Sequence, residues 1–403
     1  MAESVLFARQ PILDQQKKLV AYELLYRDAL RPIVNQRDGD RATGKVVVGA
    51  LSAMHDAPGA ISVPMFVNLT RSVLLAFTDP PFPPEFMVLE LLEDINVDAA
   101  VVDAVKDLKA KGYRIALDDF VWRESWRPLL PLADIIKVDV LDCPAAEVTF
   151  LAQRLQRFDA TLLAEKVESR TMFEHCKRLG FELFQGYFFA RPESVAGKKL
   201  SPNAGALLDL VGQLNKAEIT TQELGEVIRR DAVLSVKLLR LVNSAAFQSG
   251  RKIDSVRQAI ALLGLNRLRS WVMLLLLAGV ADKPHELLRL IVLRAGMAER
   301  LSRALKIDTP ERCFTAALFS GMDAMLDVPL PEIMARLPVS DALRLAVTEG
   351  EGEIGALLRA VKAYEQADWD SVSTALPKAE LDALFDAYVE SLVWTDSVLR
   401  DVQ

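Results

Sequence analysis

The sequence predicts an α/β plus all-α chain: an irregular TIM-type (β/α) barrel followed by a helical domain. Three observations lead there. Its 403 residues are too many for one ordinary core. Short β-type runs alternate with helical patterns up to about residue 192. Beyond that point no strand-like run follows and helix signals crowd together.

The strand candidates, in order, are VLFARQPIL, KLVAYELLYR, MFVNLT, FMVLELLE, YRIALDDF, DIIKVDV, TLLAEKV and FELFQGYFF. Helix-length amphipathic segments such as 97–111 and 145–158 lie between them, so most strands run parallel and the sheet closes. The first two runs are separated only by DQQK, too short for a crossover helix, which predicts an antiparallel hairpin at the start of the barrel. ESVAGKKLSPN then reads as a polar linker. The expected boundaries are 1–192 for the barrel, 193–202 for the linker and 203–403 for the helical domain. In that last part Thr220–Glu223 and Ser255–Gln258 read as capping boxes, Asp231 as an N-cap and Gly264 as a helix stop. Leu238, Leu239, Leu241, Val242, Ile260, Leu262, Leu263 and Leu265 are assigned to core faces.

Composition excludes several classes. Half of the residues are hydrophobic, a quarter are charged and the net charge is −7, which fits a folded protein without a broad nucleic-acid surface. Cys143, Cys176 and Cys313 are scattered, which predicts neither a disulfide framework nor a zinc site. The apolar run Trp271–Ala281 is about half a membrane span, so a buried helix and a cytoplasmic location are expected.

Chemistry concentrates at strand ends. Glu23, Asn68, Glu90, Asp118, Asp119, Lys137, Glu165 and Gln185 each fall near the C-terminal end of a strand, the face where such barrels build active sites. The adjacent pair in IALDDF is costly unless a cation or proton stands between its acids. Oxygen donors without His or Cys select hard cations such as Mg²⁺ or Mn²⁺. Asp118 is placed to bridge two ions about 4 Å apart, the arrangement of phosphodiester hydrolysis. Lys137 is placed to neutralise a phosphate or orient a water. A purely structural alternative pairs the acids with Lys137, Lys166 and Arg27.

RQPIL, ELLYR, FVNLT, ELLE, DDF, KVD, AEKVE and QGYFFARP, in this order over residues 4–192, resemble the EAL domain, which hydrolyses the bacterial second messenger cyclic di-GMP to linear pGpG. The resemblance implies that Glu23, Asn68, Glu90 and Asp118 bind one metal, and Asp118 with Asp119 a second. It implies that Lys137 and Glu165 handle the catalytic water, supported by Glu168, and that Gln10, Arg27 and Gln185 contact the nucleotide. Departures are Val121–Trp126 in place of a glycine-containing loop, Leu92 for a threonine and Lys166 for a glycine. They suggest a degenerate site whose supporting residues have changed while its ligands remain.

QELGEVIRRDAVLSVKLLRLVNSAAF and SVRQAIALLGLNRLRSWVMLLLLA resemble an HDOD domain, a relative of HD phosphohydrolases. ALFSGMD carries Ser320-Gly321 where that parent family has His-Asp, and His285 is expected at an exposed helix start. The combination implies a cyclic di-GMP-related regulator, whose barrel takes Mg²⁺ or Mn²⁺ and the dinucleotide and whose helical part binds a signalling protein; homodimerisation is left open. The alternative is an active metal-dependent phosphodiesterase.

Overall fold

A computed structural model describes residues 5–28, 63–77, 80, 83–191, 202–216, 219–243, 253–280, 283–307, 310–377 and 380–402. Linker positions 193–201 and the Arg27 side chain lie outside these described residues. The chain divides into two compact units, Met1–Phe189 and Ala190–Gln403.

In the first unit the described strands are β1 (Val5–Asp14), β2 (Leu19–Asp28), β3 (Met65–Leu69), β4 (Met87–Leu91), β5 (Arg114–Leu117), β6 (Ile135–Asp139), β7 (Thr161–Glu165) and β8 (Leu183–Gln185). They close into a barrel in sequence order. β1 runs antiparallel to both of its neighbours, β2 and β8, and every other pairing is parallel. The reversal follows from the short turn after Asp14. There the Asp14 carboxylate accepts the backbone N–H groups of Gln16 and Lys18, and Lys17 takes a left-handed φ of 62°. No crossover fits in so few residues, so the second strand must fold straight back.

The barrel interior is layered. Ile12, Ala21, Phe66, Val88, Ala116, Ile135 and Leu163 form one apolar cluster, with Leu183 packed against it. Side chains on a strand repeat on one face every second residue. Two positions further along each parallel strand, on that same inward face, stand Glu23, Asn68, Glu90, Asp118, Lys137, Glu165 and Gln185. On the reversed β1 the step runs backwards, from Ile12 to Gln10. The polar layer therefore rests on a closed apolar floor.

The described regular elements of the second unit are all helices. Thr220 and Glu223 cap the helix Thr221–Arg230 reciprocally, and Asp231 caps Ala232–Val242. Ser255 caps Val256–Leu263, but the Gln258 side chain accepts from Asp254 N, one residue short of a reciprocal box. The long helix His285–Ala304 runs through the core, where Trp394 meets Trp271 and Phe314 edge to face. Leu238, Leu241, Val242 and Ile260 are buried as expected. Leu262 is not, at 51% exposed, and Leu239, Leu263 and Leu265 are only half-buried. Residues 260–263 are consecutive and apolar, which takes them about once round the helix Val256–Leu263, so they cannot share one face and Leu262 turns outward. Among the described residues no single helix is long and apolar enough to cross a membrane.

Candidate functional site

At the C-terminal mouth of the barrel the polar layer closes around one side chain. Lys137, on β6, is a lysine with no exposed surface. Its Nζ lies 3.1 Å from Glu23 Oε2, 2.7 Å from Asp118 Oδ1 and 3.0 Å from Glu165 Oε1. Glu90 Oε1 is 2.7 Å away, as an ion pair without an aligned hydrogen bond. An ammonium has three protons to donate and here faces four carboxylates. Charge and hydrogen bonding are both left short.

The titration behaviour follows from that shortage. Burial, then the Glu23 carboxylate, pushes Glu90 well above the ordinary carboxylate range, and Lys137 only partly offsets this. Burial, against the pull of Lys137 and with the push of Asp118 and Glu23, raises Glu165 to about 8. Burial works against the charge on Lys137, but the acids around it outweigh that and raise its pKa well above normal. The centre is thus held together by one lysine and, at Glu165, by a carboxyl that keeps its proton near neutral pH.

The other expected residues divide into near and far. Gln185 Nε2 donates to Glu23 Oε2 and to Gln10 Oε1, both at 2.6 Å, tying β8, β2 and β1 into the same wall. Gly186 makes this possible: its φ is +137°, and a Cβ there would stand 2.2 Å from the Val167 carbonyl oxygen. Asn68 is half-buried in register with Glu90. Asp119, half-buried with a left-handed φ of 39°, is raised by burial and by Asp118, while the Lys166 charge draws it down. Glu168 is half-buried beyond the end of β7.

Lys166 itself, with φ 53°, pairs with Asp139 and stands 3.7 Å from Asp142. Those two acids were missed from sequence. Asp139 ends the KVD strand opposite Glu165 and so beside Lys166, a placement visible only once β6 and β7 are paired. The 121–126 segment is fastened by aromatic packing, with Phe120 edge-on to both Trp122 and Trp126 and Arg154 stacked 3.5 Å over Trp122.

Donor chemistry and charge suit a divalent cation. All of these donors are oxygens, and Glu90 Oε2, Glu165 Oε2 and Gln185 Oε1 are buried acceptors without a hydrogen-bond partner. Among the described residues, however, no three acidic, His or Cys side chains are already gathered as a ligand set. The ammonium of Lys137 stands between them.

The EAL domain model matches residues 57–192, and the HDOD domain model residues 200–327. Cyclic di-GMP phosphodiesterase CdgJ of Vibrio cholerae is 31% identical over 98% of this chain and 93% of its own length. The chain belongs to the EAL–HDOD family. The uncharacterized protein YuxH of Bacillus subtilis is also 31% identical, over 98% of this EAL–HDOD chain and 99% of its own. Among solved structures, the calcium and cyclic di-GMP complex of Klebsiella pneumoniae BlrP1 is 24% identical, covering 47% of this chain and 55% of that one with a TM-score of 0.39.

The helical unit has a polar centre of its own, where ALFSGMD, inside the HDOD match, packs against helices beyond it. Arg294 Nε donates to both oxygens of Glu365, at 3.2 and 3.0 Å, and Nη2 lies 2.9 Å from Oε2. Its Nη1 donates to Ser320 Oγ at 3.1 Å. A Cβ on Gly321 would stand 2.5 Å from Ile291 Cγ1, so the position has no room for an aspartate. His285 is exposed as the first residue of its helix, as the sequence suggested.

Proposed function

We propose that this EAL–HDOD protein is a cyclic di-GMP signalling regulator whose barrel binds the dinucleotide together with a divalent cation, Mg²⁺ or Mn²⁺. The observation that carries this reading is the convergence of Glu23, Glu90, Asp118 and Glu165 at one mouth of the barrel. Acidic walls repel a phosphodiester. When bound, a divalent cation supplies the positive field that lets such a centre accept one. Glu23, Asn68, Glu90, Asp118 and Asp119 would hold the cation. Gln10, Arg27 and Gln185 would contact the nucleotide, Lys137 and Glu165 would address water beside the phosphate, and Glu168 would support them. The HDOD unit, with its polar centre sealed, would act by binding an unidentified signalling protein.

Hydrolysis is the second reading, and Glu165 favours it. A carboxylate raised to about 8 has the affinity a general base needs near neutral pH. Against it stand Val121–Trp126, packed by aromatic rings where the family carries glycines, and Lys166 where it carries another.

Purified protein incubated with cyclic di-GMP and Mg²⁺ or Mn²⁺ tests both, with binding followed by calorimetry and linear product by chromatography. Tight binding without product supports the regulator. Turnover that disappears in Glu23→Ala establishes the phosphodiesterase. Absence of binding with either metal overturns both.

A further inference from the structure

We propose that Lys137 is a tethered counter-ion that competes with divalent cations for the carboxylate centre, so that an ion enters only as the ammonium gives up its ion pairs. The inference deepens the metal-dependent reading above and rests on it. Four carboxylates from β2, β4, β7 and the end of β5 lie within 3.1 Å of Nζ. The lysine has no exposed surface and stands on the apolar floor laid by Ile135 and its neighbours. An ion ligated by these acids would have to take the place that Nζ now holds, because two cations cannot share it at hydrogen-bond distance.

A built-in cation also explains how the barrel tolerates the cluster. Without Lys137, the acids of the centre would face one another across a buried space. With it, they are drawn together but not saturated, and Glu90 Oε2, Glu165 Oε2 and Gln185 Oε1 remain acceptors in want of a partner. A monovalent ammonium holds the site in shape and leaves a divalent ion something to gain. The apparent affinity for that ion is the intrinsic affinity reduced by the fraction of molecules in which the lysine has let go.

The test uses the full chain, stripped with chelator, and titrates Mn²⁺ by calorimetry in the wild type and in Lys137→Met, with thermal unfolding measured alongside. If the lysine releases the centre in about 1–10% of molecules, Lys137→Met binds Mn²⁺ roughly 10- to 100-fold more tightly. Its unfolding temperature without Mn²⁺ falls below that of wild type, and Mn²⁺ raises it by more than it raises the wild type. Unchanged or weaker Mn²⁺ binding in Lys137→Met overturns the competition while leaving the metal reading intact. Binding in Lys137→Met but not in wild type supports the competition and removes metal-assisted function from the native chain. No binding in either protein overturns both. Should Lys137→Met not fold, Lys137→Met/Glu165→Gln drops one negative charge with the positive one and is expected to bind Mn²⁺ more tightly than Glu165→Gln alone; equal or weaker binding overturns the competition.

Discussion

The two units each bury a polar centre, and the two centres are built on opposite principles. In the barrel one ammonium serves four carboxylates, acceptors are left over and the raised pKa of Glu165 eases part of the deficit. In the helical unit Arg294 and Lys362 stand with Glu365 and Asp323, two cations against two acids, and the planar guanidinium is matched to a carboxylate and a serine. A centre short of positive charge can take a new cationic partner. A closed centre with as many cations as acids has no place for another. Three substitutions or titrations test that contrast.

The largest effect is expected where the balanced centre is broken. Arg294→Met leaves the Glu365 carboxylate buried with its main partner gone and takes away the donor to Ser320 Oγ. Removing one member of a buried pair costs about 3–5 kcal/mol. Amide hydrogen exchange on the helices His285–Ala304 and Gly352–Glu365 would read this as lost protection. Protection equal to wild type would show that the network is ornamental and that apolar packing alone holds the unit.

The unbalanced centre should show itself through pH. Glu165 titrates near 8 in the folded barrel and near 4.5 when unfolded, so between those values the native protein holds the extra proton. Stability is therefore full below about pH 4.5 and declines as pH rises through 8. The loss is on the order of 1–2 kcal/mol, because neighbouring acids share the protons. Thermal unfolding of chelator-treated protein at pH 6 and pH 8.5 would measure it, and Glu165→Gln should flatten the difference. A barrel equally stable at both values would mean that Lys137 alone satisfies the acids.

How much of this was legible in the sequence depends on the range of the interaction. The eight strand runs are visible because a strand repeats every two residues, and DQQK forces the hairpin by length alone. The polar layer was readable too, since most of its members fall in the C-terminal half of a strand run. Its rigid spacing, two positions past an apolar residue on every parallel strand, emerges only when the strands are aligned in the barrel. What the sequence withheld was the reach of side chains. Lys137 and Glu23 are 114 residues apart, and nothing local says that the ammonium, rather than water or an ion, fills the middle. The Arg294–Glu365 pair spans 71 residues and carries no motif at all. Leu262 was misplaced for a related reason: periodicity shows which residues share a face, but only packing decides whether a neighbour covers it.

The smallest effect should come from Lys362, and its sign is what makes it informative. Burial, with Arg294 adding repulsion, lowers this lysine to about 8, while Glu365 and Asp323 pull the other way. The folded unit therefore binds its proton less well than the unfolded chain does. That penalty is present in full below pH 8 and fades as pH rises from 8 toward 10.5. Lys362→Met keeps the aliphatic stem and removes the charge, so near pH 7 it should stabilise the HDOD unit by on the order of 1 kcal/mol. The gain should shrink at pH 10. A loss of stability at pH 7 would place Lys362 beside Arg294 as a member of the lock. The centre would then be held by both cations, and its likeness to the crowded mouth of the barrel would be closer than the distances suggest.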